Sequence, residues 1–156
     1  MDKSDFLNKY LPLFSIHFHD NVFSKDNSIK VIEQKLPFKE LLEFYILRTV
    51  KNGLPDTRGI EERENDLNSK LITLYEARQN PKKWGLESKG RIIPSLKDIR
   101  PIPVAVDPDS GNCLILDSNH LLTNLNCPSD TVIPLALIVG PNLEALGPDF
   151  IILSRQ

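Results

Sequence analysis

Four consecutive polar residues, Asp117, Ser118, Asn119 and His120, separate an apolar run from Leu121, Leu122 and Leu125. The leucine spacing predicts a short helix, so the chain changes from extended to helical at these four positions. Asp117 or Ser118 is expected to cap that helix by accepting from its first backbone N–H groups. The remaining N–H groups carry about half a positive charge toward the space above the sheet, a setting suited to an anion. Asn119 and His120 would project beside that anion. The chemistry expected is phosphate chemistry, with Asp117 and His120 in catalytic roles and Ser118 and Asn119 binding the ligand. Arg91 and Arg100, from the basic segment 88–100, are the cations that could complete such a site.

Other chemistry-bearing residues carry simpler readings. His17 and His19 would share one face of a strand, yet a metal site needs three or four ligands and only this pair is close, so no metal site is expected. Glu61, Glu62 and Glu64 suit the start of a helix, where negative charge complements the macrodipole. Cys113 and Cys127 match no paired zinc-ligand spacing and are too few for a disulfide framework; both read as structural. Trp84, in a loop after two lysines, either caps the core or faces a partner.

The elements that must position the corner follow from pattern. Ile102, Val104 and Val106 alternate, residues 107–112 (DPDSGN) are turn chemistry, and CLILD returns as the second arm of a hairpin. The prolines at 101 and 103 mark an edge strand or its entry. Residues 131–139 form a further buried strand and FIIL, 150–153, a last one. Earlier, two strands are expected at 11–19 and 28–35. A helix is expected over 36–52, with Pro37 in its first turn and Gly53 as a left-handed stop. A second follows Asp56, ends at Pro81, and buries Leu67, Leu71, Leu74 and Tyr75.

With 156 residues the chain suits one domain, residues 1–156, with 1–57 an N-terminal elaboration and 58–156 the core. The class is α+β: a small mixed β-sheet with flanking helices. A net charge of -2 disfavours nucleic acid as a partner, because counterion release needs a basic surface. No basic leader precedes an apolar run, and no window approaches the roughly eighteen apolar residues of a membrane span. No membrane partner is expected, and a cytoplasmic location is.

The hairpin and corner, Pro101 to Val106, the turn through Gly111, Leu114 to Leu116 and then Asp117, Ser118, Asn119 and His120, resemble the ParB/sulfiredoxin-like superfamily. Its motif has the form Asp-Gly-x-His-Arg or Gly-x-x-Arg at the same strand-to-helix junction. Members bind nucleotide phosphates there, among them CTP-hydrolysing DNA segregation proteins, ATP-using sulfinic acid reductases and ADP-dependent free-serine kinases. Ser118 stands at the motif glycine, Leu121 at the arginine, and Asn119 at the reductases' cysteine. The resemblance implies a nucleotide with magnesium, or another phosphate ligand, held at Asp117–His120, with phosphoryl transfer or hydrolysis as the reaction. Its alternative is a catalytically degenerate module that binds a protein partner, with Leu121 in the core. A DNA-binding or nuclease role is the third reading, opposed by the acidic charge.

Overall fold

Adjacent residues along the strands go to opposite sides of one sheet, and that alternation organises the molecule. Leu71, Ala105, Leu114 and Ala136 bury into one core, while their neighbours Ile72, Val104, Ile115 and Leu135 bury into another. The computed structural model describes residues 1–88 and 96–156. Within them seven strands form one mixed sheet: β1 (Lys30–Pro37), β2 (Tyr45–Lys51), β3 (Leu54–Pro55), β4 (Lys70–Thr73), β5 (Ile102–Val106), β6 (Cys113–Ile115) and β7 (Val132–Val139). The order is β1-β7-β5-β6-β2-β3, with β4 also on β2. Pairing is parallel between β5 and β7 and between β6 and β2, and antiparallel elsewhere. This is an α+β architecture, a mixed sheet flanked by helices.

One face is covered by α1 (Lys3–Tyr10), α2 (Asp20–Lys25), α4 (Ile60–Asn65) and α7 (Pro148–Ser154). An aromatic cluster of Phe6, Tyr10, Phe14, Phe18, Phe23 and Phe150 fills it, with ring centroids 4.9 to 6.1 Å apart. The other face carries α3 (Phe38–Leu41), α5 (Leu74–Gln79) and α6 (Asn119–Asn124). Three strands within residues 1–57, namely β1, β2 and β3, belong to the same sheet as the later strands.

Several expectations are corrected. Residues 11–19 form no strand: a 3-10 turn, Leu11–Leu13, and an irregular segment deliver Phe14 and Phe18 into the aromatic cluster instead. The 36–52 helix is absent; the end of β1, the single turn α3 and the strand β2 occupy it. A strand packed on both faces presents a continuous apolar run, which helical spacing also accommodates. The deciding signal is Asn52-Gly53, whose φ values of 53° and 78° make the two-residue turn that joins β2 to β3. Gly53 thus closes a hairpin rather than a helix.

The helix expected after Asp56 is split into α4 and α5 by β4. Leu67 and Tyr75 are therefore 68% and 56% exposed, while Leu71 and Leu74 are buried. Thr73 and Glu76 form a reciprocal capping box that starts α5 one residue after the strand ends. Residues 150–153 lie in α7, not in a strand, and Pro148 at its start is the sequence signal for that. The hairpin of β5 and β6 is present, but β5 is central. Pro103 forfeits only a donor there, since its carbonyl still accepts from the Leu116 N–H at 2.9 Å.

Candidate functional site

Residues Leu116 and Asp117 lead out of β6, and Ser118 turns the chain into α6 with φ 70° and ψ 24°. The left-handed conformation is unfavourable for a residue with a side chain. Among the described residues no side chain caps this helix, contrary to the expectation for Asp117 or Ser118; Ser118 contributes its carbonyl, which accepts from the Leu122 N–H at 3.0 Å. A positive φ aims the Ser118 side chain differently from the extended conformation a capping serine adopts.

Asn119 is buried, and its Oδ1 accepts from the Leu47 N–H at 3.5 Å, linking the corner to β2. His120 is half-buried in the first turn of α6, and its carbonyl accepts from Asn124 Nδ2 at 2.8 Å. Leu121 is half-buried against the core beneath α5 and α6. Arg78 closes the other end of α6, donating from Nη1 to the carbonyls of Leu122 at 2.7 Å, Thr123 at 3.2 Å and Leu125 at 2.8 Å.

The charges of Arg100, Asp117 and Glu33 all act on Tyr10. The Tyr10 hydroxyl donates to the Pro101 carbonyl. Burial pushes its pKa up to about 12; the charge of Arg100 opposes the rise and that of Asp117 adds to it. Arg91 lies outside the described residues.

Two further arginines, Arg48 on β2 and Arg63 on α4, hydrogen bond to neutral oxygens. Arg48 Nε donates to the Trp84 carbonyl and its Nη1 to the Leu47 carbonyl, each at 2.9 Å. Arg63 Nε donates to the Arg58 carbonyl at 2.9 Å, and its Nη1 to Thr49 Oγ1 at 3.3 Å. These partners are neutral oxygens, and among the described residues no carboxylate forms an ion pair with either guanidinium. Burial, with the like charge of Arg63 added, lowers the pKa of Arg48 from the usual arginine value.

Arg58 stands in contrast. It donates to Asp56 Oδ1 at 2.9 Å, to Asp56 Oδ2 at 2.7 Å and to Asp66 Oδ2 at 2.7 Å. Asp66 also takes Lys51 at 2.5 Å, so this network is internally balanced. A cleft of about 490 Å³ opens beside it, lined by Arg48, Thr49, Arg63, Lys82, Lys83 and Trp84 among others. That volume is in the range of small-molecule sites. Trp84 is only 6% exposed and belongs to the core, with Lys83 Nζ 4.9 Å from its ring centroid.

A second cavity of about 330 Å³ shares Leu47, Arg48 and Arg63 with the first and adds Ser15, His17 and Asp149. Asp149, in the first turn of α7, is 7% exposed. Burial raises the pKa of its carboxyl, while Arg63, His17 and its own backbone N–H pull the other way.

His19 Nδ1 lies 3.1 Å from the Ala145 carbonyl oxygen, and both early histidines sit in the irregular segment before α2. Among the described residues no group of three or more His, Cys, Asp or Glu is arranged to hold a metal ion. Glu61 and Glu62 occupy the first turn of α4. The Cys113 thiol is pushed up to about 11 by burial. Among the described residues no helix is long and apolar enough to cross a membrane.

Sequence reasoning passed over Arg48, Arg63 and Asp149. Arg48 carries a signal, a lone charge inside the apolar run YILRTVK, whereas Arg63 stands among acidic neighbours and Asp149 follows Gly147 and Pro148 with no pattern that singles it out. No protein-family model, curated protein or solved structure matches this chain.

Proposed function

We propose that this protein binds a nucleotide or another phosphate-bearing ligand, with the phosphates between Arg48 and Arg63 and the Asp117–His120 corner adjoining. The observation that carries the reading is the pair of guanidinium groups facing one cleft without a carboxylate partner among the described residues. Two partly desolvated like charges cost free energy unless an anion joins them. Lys82 and Lys83 line the same cleft and favour a multiply charged ligand. Charge-assisted hydrogen bonds to phosphate are worth roughly 1.5–3 kcal/mol each.

The corner supports the same reading. Asn119 is hydrogen bonded to Leu47, the residue before Arg48. Ser118 adopts the left-handed conformation at the place where the ParB/sulfiredoxin-like motif has glycine, and the hairpin leading to it is central in the sheet. A ParB/sulfiredoxin-like relationship is therefore part of the proposal, as is phosphoryl transfer or hydrolysis of a magnesium-bound nucleotide, with Asp117 and His120 as its corner groups.

Thermal unfolding with ATP, ADP, CTP, each with magnesium, and with pyrophosphate tests the reading. A ligand at a hundred times its dissociation constant stabilises by about 2.7 kcal/mol. The expected result is a rise for at least one of them that disappears in Arg48→Ala and Arg63→Ala. His120→Ala reduces that rise if the corner contacts the ligand. A melting temperature indifferent to all four compounds would remove the proposal.

A further inference from the structure

The cleft and the smaller cavity meet at Arg48 and Arg63, which line both. The carboxylate that lines the larger cleft, Asp56, is paired with Arg58, whereas the one that lines the smaller chamber, Asp149, is in no ion pair among the described residues. Asp149 is more than nine-tenths buried, and the charges of Arg63 and His17 act on it. Its own backbone N–H is the other group that favours the ionised carboxyl. Two carboxylate oxygens offer about four acceptor positions, so most of that capacity is unclaimed.

We propose that the chamber lined by Ser15, His17, Arg48, Arg63 and Asp149 is a second subsite that takes the hydroxyl-bearing sugar of the ligand whose phosphates occupy the adjoining cleft. This rests on the phosphate reading above. The class of group follows from charge. An anion in the chamber meets Asp149, and a cation meets Arg48 and Arg63, so a neutral group that donates hydrogen bonds fits both. Vicinal hydroxyls donate to a carboxylate and accept from guanidinium or imidazole N–H groups at once. The shared arginines give the ligand its polarity: phosphates toward Lys82 and Lys83, sugar toward Asp149.

The segment carrying Ser15 and His17 is anchored beside Asp149. The His19 N–H donates to the Leu146 carbonyl at 2.9 Å, and Gly147 packs against the His17 carbonyl. Asp149 follows two residues later. Specificity for the sugar is thus built by the N-terminal segment and the start of α7, and charge attraction by β2, α4 and the loop at Lys82–Lys83.

Calorimetric titration of ADP, of its dideoxy analogue lacking both ribose hydroxyls, and of inorganic pyrophosphate separates the two parts. Wild type is expected to bind ADP about tenfold or more tightly than the dideoxy analogue, the loss expected when a buried charged acceptor is deprived of its donors. Asp149→Asn should bind both compounds alike, with pyrophosphate affinity retained. Because Asp149 is buried, His17→Ala, at an exposed position, provides a second variant, expected to weaken ADP while sparing pyrophosphate. Wild type that does not distinguish ADP from its dideoxy analogue would overturn the subsite and leave the phosphate cleft standing. So would an Asp149→Asn variant that distinguishes them as wild type does. Failure of pyrophosphate and ADP alike to bind would overturn the phosphate reading and the subsite with it.

Discussion

A Cβ placed on Gly147 would overlap the carbonyl oxygen of His17. The two residues are far apart in sequence, and their contact holds the irregular N-terminal segment against the start of α7. Gly147 also has φ 150° and ψ 174°, a conformation that is essentially confined to glycine.

Gly147→Ala is accordingly expected to destabilise the protein by about 2–3 kcal/mol, combining backbone strain with the overlap. For a chain of this size that lowers the melting temperature by roughly 5–10 °C. Thermal denaturation checks it; an unchanged midpoint would show that residues 14–19 are not seated on Gly147.

Ser118→Gly should act in the opposite direction. Glycine accepts φ 70° without the Cβ penalty, and no side-chain cap is lost because Ser118 provides none. A gain of about 0.5–1 kcal/mol is expected in denaturant unfolding, partly offset by the greater freedom of glycine in the unfolded chain. Ser118→Val at the same position should be destabilising.

Arg78 supplies three hydrogen bonds to the end of α6 and stacks 4.9 Å from the Phe38 ring centroid. Arg78→Ala leaves those carbonyls without this donor and should cost about 2–4 kcal/mol. Amide exchange across residues 119–125 should accelerate more than in β7, which measures whether the loss is local to the corner.

Asp149 should lower stability at neutral pH. Its folded-state pKa is raised by burial, so the native state holds the proton more tightly than the unfolded chain does. The stabilisation is complete below the ordinary aspartate value of about 4 and is lost as pH rises through the folded pKa. Asp149→Asn is therefore expected to raise the melting temperature at pH 7, and the advantage should vanish toward pH 3. A variant less stable than wild type at pH 7 would contradict this.

Asp56 carries the reverse sign. The Arg58 fork, with help from Ser69, holds its carboxyl well below the usual carboxylate range despite burial. Its contribution is present above the unfolded value and falls away as pH drops through the folded one. Asp56→Asn should lower the melting temperature by several degrees at pH 7, with the gap narrowing in strong acid. Parallel pH–melting curves for the two aspartate variants make the contrast visible in one experiment.

The chain's local chemistry determined the parts whose instructions lie within a few residues. The turn DPDSGN between alternating apolar runs makes the β5–β6 hairpin, the uninterrupted apolar run with Pro134 makes β7, and the polar corner followed by leucines makes α6. Asn52-Gly53 also carried its hairpin signal, but the doubly buried β2 beside it imitates a helix. Aromatic residues at 14 and 18 suit a strand equally well until Phe6, Phe23 and Phe150 provide a cluster to enter.

Tertiary structure alone decided the strand order and the candidate site. Arg48, Arg63 and Asp149 lie on a strand and two helices distant in sequence, and no periodicity relates them. Whether a buried charge meets a carboxylate, a backbone carbonyl or an open cavity depends on long-range packing, because partners at different sequence separations compete for the same donor. Folding placed neutral oxygens beside the two arginines and a carboxylate across the chamber, and that arrangement is the physical origin of the proposed site.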